Sequence, residues 1–497
     1  MRNDVSARAR EIALTLTSWP SVTGSADEAA FAPKLARYIA HLGEVWTSPI
    51  PGDARSNVFA LKRGRGRRTI VLTGHFDVVP VADYGALEPL AFSAGRLLPE
   101  IVARLRRTGE NALALSDFES GEFLPGRGLL DMKAGLAAGI AAIESYTGDA
   151  NLLFLAVADE EERSAGARAA APLLPGIARD HGLDIELVIN LDAISDQGDG
   201  AAGRAVALGS IGKQLLTALV TGREAHACYP QDGANAAYIA AELLTEFELA
   251  AELAEISGGE IAAPPTALHA KDLKQGYNVT TPAQSWLYWN TLQHRRTPAE
   301  VLDIAHMLAR RAMARAQRKL ARDIPVMSYA ELAARVPAAN VAEITRDIAA
   351  RDTLDLPERA KLVTAAVWAA SGLSGPAVVM GFGAIPYPAV SLMDAGIEDA
   401  VVTAAAGHGL TSLRYFPGIS DMSFLGEASG DLSAVAANTP IWGSSFTMPE
   451  PAGYPCINIG PWGRDYHHWL ERLHAPYAFD TLPRVLLSVI DAVMKRS

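Results

Sequence analysis

Residues 68–80 contain the sequence RTIVLTGHFDVVP. The apolar run 69–73 predicts a buried strand, which Gly74 ends just before His75. His75 and Asp77 are two residues apart, so an extended backbone directs both side chains to the same side. His75 can therefore ligate a metal while Asp77 orients its ring, as a ligand imidazole usually requires. Alone, this pattern is more typical of a buried, hydrogen-bonded histidine.

Two later apolar runs also end in acidic residues. The run NLLFLAVA at 151–158 leads directly into Asp159–Glu162, and IELVINL at 185–191 ends at Asp192. Asp131 lies 29 residues before Glu160, and Asp192 lies 31 residues after Glu161. A strand–helix–strand unit has about thirty residues, so each acid follows a strand or opens the next helix.

This alternation predicts an α/β domain with a mostly parallel sheet flanked by helices. Ligands of such sheets bind at the carboxyl ends of the strands. We therefore expect one crevice to contain the five residues His75, Asp131, Glu160, Glu161 and Asp192.

A second domain interrupts the first. Residues 208–332 show the pattern β-α-β-β-α-β, which is typical of a ferredoxin-like two-layer sandwich. We expect the first domain to comprise 1–207 and 333–497, including a strand in PAVVMGFG at 376–383. Residues 83–127 and 408–452 are predicted to be mostly irregular and to determine substrate specificity.

Composition excludes several classes of protein. A net charge of −12 over 497 residues argues against a general nucleic-acid binder or a protein of anionic membranes. Two cysteines, Cys228 and Cys456, imply no disulfide framework. The charged start predicts a helix and no signal peptide, and no apolar run is long enough for a membrane span. We expect a cytoplasmic protein.

The adjacent Glu160 and Glu161 suit a two-metal hydrolase, in which one carboxylate binds metal and a free neighbour acts as general base. An isolated acidic run after a strand is more commonly a solvated loop. No Gly-rich phosphate loop follows an early strand, so a nucleotide-binding protein is disfavoured.

Six features occur in order along the chain: TGHFDVVP, GRGLLDMKAG, ADEEERSAG, a carboxylate at Asp192, GREAHACYP and GRDYHHWLE. Together they resemble peptidase family M20, the di-zinc group of aminoacylases, carboxypeptidases and succinyl-diaminopimelate desuccinylases. The resemblance covers nearly the whole chain and implies a zinc-exopeptidase-like fold. The carboxyl-terminal half, with the segment PWGRDYHHWLERL, is most similar to the arginine-utilisation branch of the family.

The resemblance implies a role for each site residue. The family pattern places a Glu four residues after the last ligand, and Glu471 fits that spacing from His467, so the resemblance favours His467 over the neighbouring His468. A cis peptide is implied after Asp131. The same ligands suit cobalt and manganese as well as zinc. The implied roles are His75 and Asp192 on one zinc, Glu161 and His467 on the other, Asp131 bridging, Glu160 as general base and Asp77 as the partner of His75.

Within the inserted domain, the resemblance implies that His226 holds the oxyanion and that Asn278 contacts substrate. If His226 acts on a facing site, the protein is a dimer or closes this domain as a lid. Many relatives have a carboxylate-binding Arg where this chain has Thr291, and the nearest Arg is Arg295. The segment 418–421 (GISD) resembles a loop on the substrate side.

The sequence thus predicts a metal-dependent amidohydrolase acting on a small substrate such as an N-acyl amino acid or dipeptide. The alternative is a catalytically silent family member that serves as a binding or scaffolding protein.

Overall fold

The computed structural model describes residues 5–351, 353–428 and 431–496. The chain forms two compact units, each with its own apolar core. The first comprises Met1–Ser210, Val390–Ala428 and Pro449–Ser497, and the second comprises Ile211–Ala389 and Ser429–Met448.

An eight-stranded sheet forms the centre of the first unit, and its four middle strands are parallel. These middle strands are buried on both faces, as their continuous apolar runs predict. In spatial order the strands are Glu44–Pro49, Ser56–Lys62, Asn151–Val157, Arg68–His75, Asp184–Asn190, Cys456–Asn458, Ala205–Ala207 and Thr411–Leu413.

Helices cover this sheet. The buried helix Ala134–Ser145 consists mostly of small residues, which lets it approach the sheet closely. A Cβ at Gly135 would lie 2.0 Å from the carbonyl oxygen of Leu191, so the position requires glycine. The other α-helices of the first unit are Val5–Thr17, Ala26–Tyr38, Ala94–Thr108, Ala112–Ser120, Ala165–Ala170, Leu174–His181, Ala395–Ala406, Met422–Leu425 and Leu482–Met494.

The prediction of irregular structure over 83–127 is wrong. The helix Ala94–Thr108 buries Leu97, Ile101 and Leu105 at four-residue spacing, and Gly109 ends it in the left-handed conformation. Pro99 and the surrounding arginines obscure this period in the sequence. A second helix, Ala112–Ser120, follows it.

A smaller four-stranded sheet also belongs to the first unit. Its outer strands are Phe123–Pro125 and Ile194–Ser195, and a hairpin lies between them. The hairpin strands Trp462–Arg464 and Arg472–His474 pair antiparallel, with Arg464 opposite Arg472.

The second unit contains a five-stranded sheet with helices Ala236–Phe247 and Pro298–Leu320 in its core. The predicted β-α-β-β-α-β order is present. The other helices are Tyr329–Ala333, Ala338–Ala349, Leu356–Ala370 and Ser433–Asn438, and the strands in spatial order are Thr266–Asp272, Gln284–Gln293, Gly212–Thr221, Ala377–Phe382 and Val326–Ser328.

The boundary expected at residue 333 needs correction, because this unit continues to Ala389. The strand Ala377–Phe382, which the sequence predicts in the first domain, pairs with Gly212–Thr221 on one side and Val326–Ser328 on the other. An apolar run does not reveal which of two sheets it joins, so the sequence could not place this strand.

Among the described residues, no helix is both long and apolar enough to cross a membrane.

Candidate metal and catalytic site

Three parallel strands of the first unit end together at one edge of its large sheet. His75 is paired in register with Val157, and Thr73 with Asn190. This register brings the residues after each strand, Glu160–Glu161 and Asp192, to the same edge as His75.

Asp131 reaches this edge from an irregular turn, Leu129–Lys133, which leads into a buried helix. The peptide bond Asp131–Met132 is cis, as the resemblance implies. The sulfur of Met132 accepts a hydrogen bond from the amide of His75 at 3.3 Å, so the turn contacts the end of the strand directly.

His467 comes from the loop of the hairpin in the smaller sheet. Its side chain is 45% exposed, whereas that of His75 is 2% exposed. The neighbouring His468 accepts a hydrogen bond at Nδ1 from the amide of Leu470 and lies beside Trp469. In the described part of the chain, His468 has no ion pair with a carboxylate, whereas His467 has two.

The two carboxylate oxygens of Asp131 face different groups. Oδ1 lies 3.2 Å from His75 Nε2, which is 3.7 Å from Asp192 Oδ1. Oδ2 lies 3.2 Å from His467 Nε2, which is 3.1 Å from Glu161 Oε2. Asp131 therefore connects one donor pair with the other.

Asp77 fixes both the histidine and the acidic pair. Its backbone carbonyl accepts from His75 Nδ1 at 3.1 Å, while its carboxylate lies 3.6 Å from that nitrogen. The carboxylate itself accepts the amides of Glu160 and Glu161 at 3.0 and 3.2 Å. The hydroxyl of Thr23 donates to it at 2.9 Å.

The carboxylates are crowded and buried, which shifts their proton affinities. Burial raises the pKa of Glu161 to about 7, and the charge of Asp131 adds to the shift. Burial and the charge of Asp192 likewise raise the pKa of Glu160 well above its usual value. Although burial lowers it, hydrogen bonds with Asp131 and Glu161 raise the pKa of His467 to about 10. The cluster thus carries an excess of negative charge that favours bound cations.

The donor set fits divalent cations. Single ligand atoms of His75, Asp131 and Glu161 all lie within 4.8 Å of one another. Glu161 Oε1 is buried and has no hydrogen-bond partner among the residues that the structure describes, a costly state that a cation would relieve. Imidazole and carboxylate ligands are those that zinc prefers in hydrolases.

The sequence did not reveal the ionic cluster behind the acidic pair. Arg55 Nη1 donates to Asp159 at 2.6 Å and to Glu28 at 3.0 Å, and Glu28 accepts the amide of Asp159 at 3.0 Å. Burial, followed by the charge of Asp77, raises the pKa of Glu28 to about 7. These residues lie far apart in sequence, and no spacing connects them.

Another buried carboxylate near the site, that of Asp421, belongs to the segment 418–421. Asp421 is 1% exposed. Burial raises its pKa to about 7, and the charges of Asp77 and Asp192 contribute. The family resemblance implies that this segment is a loop on the substrate side, and it implies no role for Asp421.

The remaining predicted residues belong to the second unit. His226 is exposed, and its Nδ1 accepts the amide of Cys228 at 3.2 Å. Asn278 is also exposed, and its backbone carbonyl oxygen accepts a hydrogen bond from Lys274 Nζ. Thr291 is 2% exposed, and its hydroxyl donates to the carbonyl of Gln214 within the sheet.

The chain is similar in sequence to two proteins of Bacillus subtilis over nearly its whole length. Over 97% of its length, the chain is 30% identical to the uncharacterized protein YqjN of Bacillus subtilis, covering 96% of that protein. It is 27% identical to protein RocB of the same organism, with 96% and 94% of the two chains covered.

Solved structures show the same fold. The aminopeptidase PepT of Bacillus cereus superposes with a TM-score of 0.58 over 99% of both chains, at 15% identity. The model of peptidase family M20/M25/M40 matches residues 105–437. The chain therefore belongs to peptidase family M20/M25/M40, a family of metallopeptidases.

Proposed function

We propose that this protein is a two-metal amidohydrolase that cleaves an amide bond in a small substrate, such as an N-acyl amino acid or a dipeptide. The observation that carries the proposal is the division of Asp131 between two donor pairs. Its Oδ1 faces His75 and its Oδ2 faces His467, each at 3.2 Å.

His75 and Asp192 would hold one divalent cation, Glu161 and His467 the second, and Asp131 would be shared. Zinc is the proposed ion, and cobalt or manganese would suit the same ligands. When bound, such a pair lowers the pKa of a water molecule and polarises the scissile carbonyl.

Glu160 is the proposed general base. It lies in the same cluster, with Oε2 3.9 Å from His75 Nε2, and belongs to neither donor pair. Its carboxylate would accept the proton of the attacking water and transfer it to the departing amine nitrogen. Asp77 would keep Glu160 in place through its backbone amide.

His226 and Asn278 remain proposed substrate contacts, His226 as a donor to the oxyanion, with a homodimer or a closing lid as the consequence. Because Thr291 is buried and bonded within its sheet, it does not replace the carboxylate-binding Arg of many relatives. We therefore propose that a free carboxylate on the substrate is not required. The arginine-utilisation branch and the cytoplasmic location stay predictions.

The test is Glu160→Gln, assayed on a panel of N-acyl amino acids and dipeptides. The variant should lower kcat by about 10²- to 10⁴-fold, the usual contribution of a general base. It should still bind two ions per chain, because Glu160 is not a proposed ligand. A variant with unchanged activity would refute the assigned base, and a wild-type protein that binds no metal and hydrolyses nothing would favour the silent-protein alternative.

A further inference from the structure

The strands of the smaller sheet are directly connected to three of the segments that carry donor residues. The strand Phe123–Pro125 precedes Asp131, and the strand Ile194–Ser195 follows Asp192. Between these strands lies the hairpin whose loop carries His467. The position of His467 relative to the other donors therefore depends on the contacts that hold this hairpin in place.

Two arginines lie directly opposite each other on the hairpin. Arg464 and Arg472 form a cross-strand pair, and they are 7% and 0% exposed. Like charges in this arrangement destabilise a sheet, and their burial adds to the cost. The hairpin thus needs a buried anion.

Asp117 supplies that anion from the helix Ala112–Ser120. Arg464 Nη1 lies 2.6 Å from each of its carboxylate oxygens, and Arg472 Nε lies 2.7 Å from Oδ2. One carboxylate therefore bonds to both guanidinium groups and fixes both strands of the hairpin to this helix.

The loop itself has an unfavourable backbone. Asp465 and His467 have φ angles of +54° and +62°, in the left-handed region that costs a non-glycine residue free energy. Arg472 Nη1 donates to Asp465 Oδ2 at 2.5 Å, and Gln197 donates to Oδ1 at 2.8 Å. The side chain of His467 is 45% exposed, whereas Trp469 and Leu470 of the same loop are buried in the core. The contacts of Asp465 therefore restrain the part of the loop beside His467, which the core does not enclose.

At the other end of the loop, Glu471 contacts the segment that carries Asp131. Its Oε1 accepts the amides of Gly128 and Leu130 at 2.9 and 3.3 Å, and its Oε2 accepts from Arg127 at 2.9 Å. These bonds do not involve Asp117. Loss of Asp117 should therefore loosen the His467 loop while leaving the hairpin attached.

We propose that Asp117, bonded to Arg464 and Arg472, is the positioning residue for His467. The proposal rests on the two-metal function above. It states that Asp117 controls the cation site formed with Glu161 and has little influence on the site formed by His75 and Asp192. A purely structural role for Asp117 would weaken both sites together.

The experiment titrates metal-free protein with Zn²⁺ against a competing chelator. Asp117→Asn should weaken one of two binding steps by about 10- to 100-fold, as for other groups that orient a metal ligand. That step must be the one that His467→Ala removes, and the other should change less than about threefold. Asp117→Glu, which keeps the charge, should restore most of the affinity.

Asp149→Asn is the matched control, because Asp149 also pairs with an arginine but is exposed. It should change neither step. If Asp117→Asn does not fold, Asp465→Asn removes the Arg472 contact within the loop and should weaken the same step. Equal weakening of both steps, or of neither, overturns the proposal. Failure of the wild-type protein to bind two ions would instead overturn the proposed function and this inference with it.

Discussion

His75 and His467 face the same carboxylate, but the chain holds them in different ways. His75 ends a buried strand, and its ring is fixed by Asp77 and by the neighbouring strands. His467 lies at a hairpin tip, and its loop is held by a network of ion pairs. The difference shows that one half of the site follows from the parallel sheet, while the other depends on contacts between distant segments.

Asp131 is shared by both halves, so its loss should have the largest effect. Asp131→Ala should prevent binding of both ions and reduce activity to background, because neither donor pair is complete without it. Metal analysis and the hydrolysis panel check this expectation. One tightly bound ion in this variant would mean that the two halves are independent.

Asp77→Asn tests the His75 half. The neutral side chain still fits, but it bonds less strongly to the amides of Glu160 and Glu161, so activity should fall by about 10- to 100-fold. Asp184→Asn, at an exposed pair with Arg67, is the control and should retain full activity. The Zn²⁺ titration should show both steps weakened in Asp77→Asn, in contrast to Asp117→Asn. An effect confined to the His467 step would contradict the assigned geometry.

The buried titratable groups of the site should make the stability of the metal-free protein depend on pH. The pKa values of Glu161 and Glu28 are raised to about 7 in the folded protein, so the folded state binds these protons more tightly than the unfolded state does. The resulting stabilisation of the metal-free protein is complete below pH 4.5 and is lost as the pH rises through 7. The raised pKa of His467, about 10, acts in the same direction, with full stabilisation below 6.5 that is lost through 10.

The Tm of the metal-free protein should therefore decrease between pH 5 and pH 8, and saturating Zn²⁺ should reduce this dependence. Glu28→Gln should remove only the contribution of Glu28 to the pH dependence of Tm. Thermal unfolding at several pH values measures both effects. A Tm that increases over this range without metal would show that the assigned shifts have the wrong sign.

The smallest effect should come from His468→Ala. Within the described residues, the ring of His468 hydrogen-bonds only to the backbone of its own loop. Its removal should therefore change kcat less than about twofold and leave two ions bound. His467→Ala should lose one ion. The reverse outcome would assign the ligand to His468.

Much of the His75 half could be predicted from the sequence. Apolar runs ending in His75, Glu160 and Asp192 follow from strand periodicity, and the parallel sheet brings their ends together. The family resemblance added His467 and the cis peptide after Asp131. The strand ends were inferred from local pattern and spacing, which a single sequence contains, whereas His467 and the cis peptide rested on the resemblance alone.

The missing parts depend on contacts that no local pattern reports. Asp117 lies in a region that we expected to be irregular, and its partners lie 347 and 355 residues away. The strand Ala377–Phe382 has the composition of either sheet, so its pairing with Gly212–Thr221 could not be inferred. Pairing between distant segments is decided by packing in the folded chain.

Anomalous X-ray diffraction at the zinc absorption edge, on crystals of the zinc-loaded protein, tests the central claim most directly. Two peaks are predicted, one beside His75 and Asp192 and the other beside Glu161 and His467, with Asp131 between them. A single peak, or peaks away from Asp131, would contradict the two-metal account.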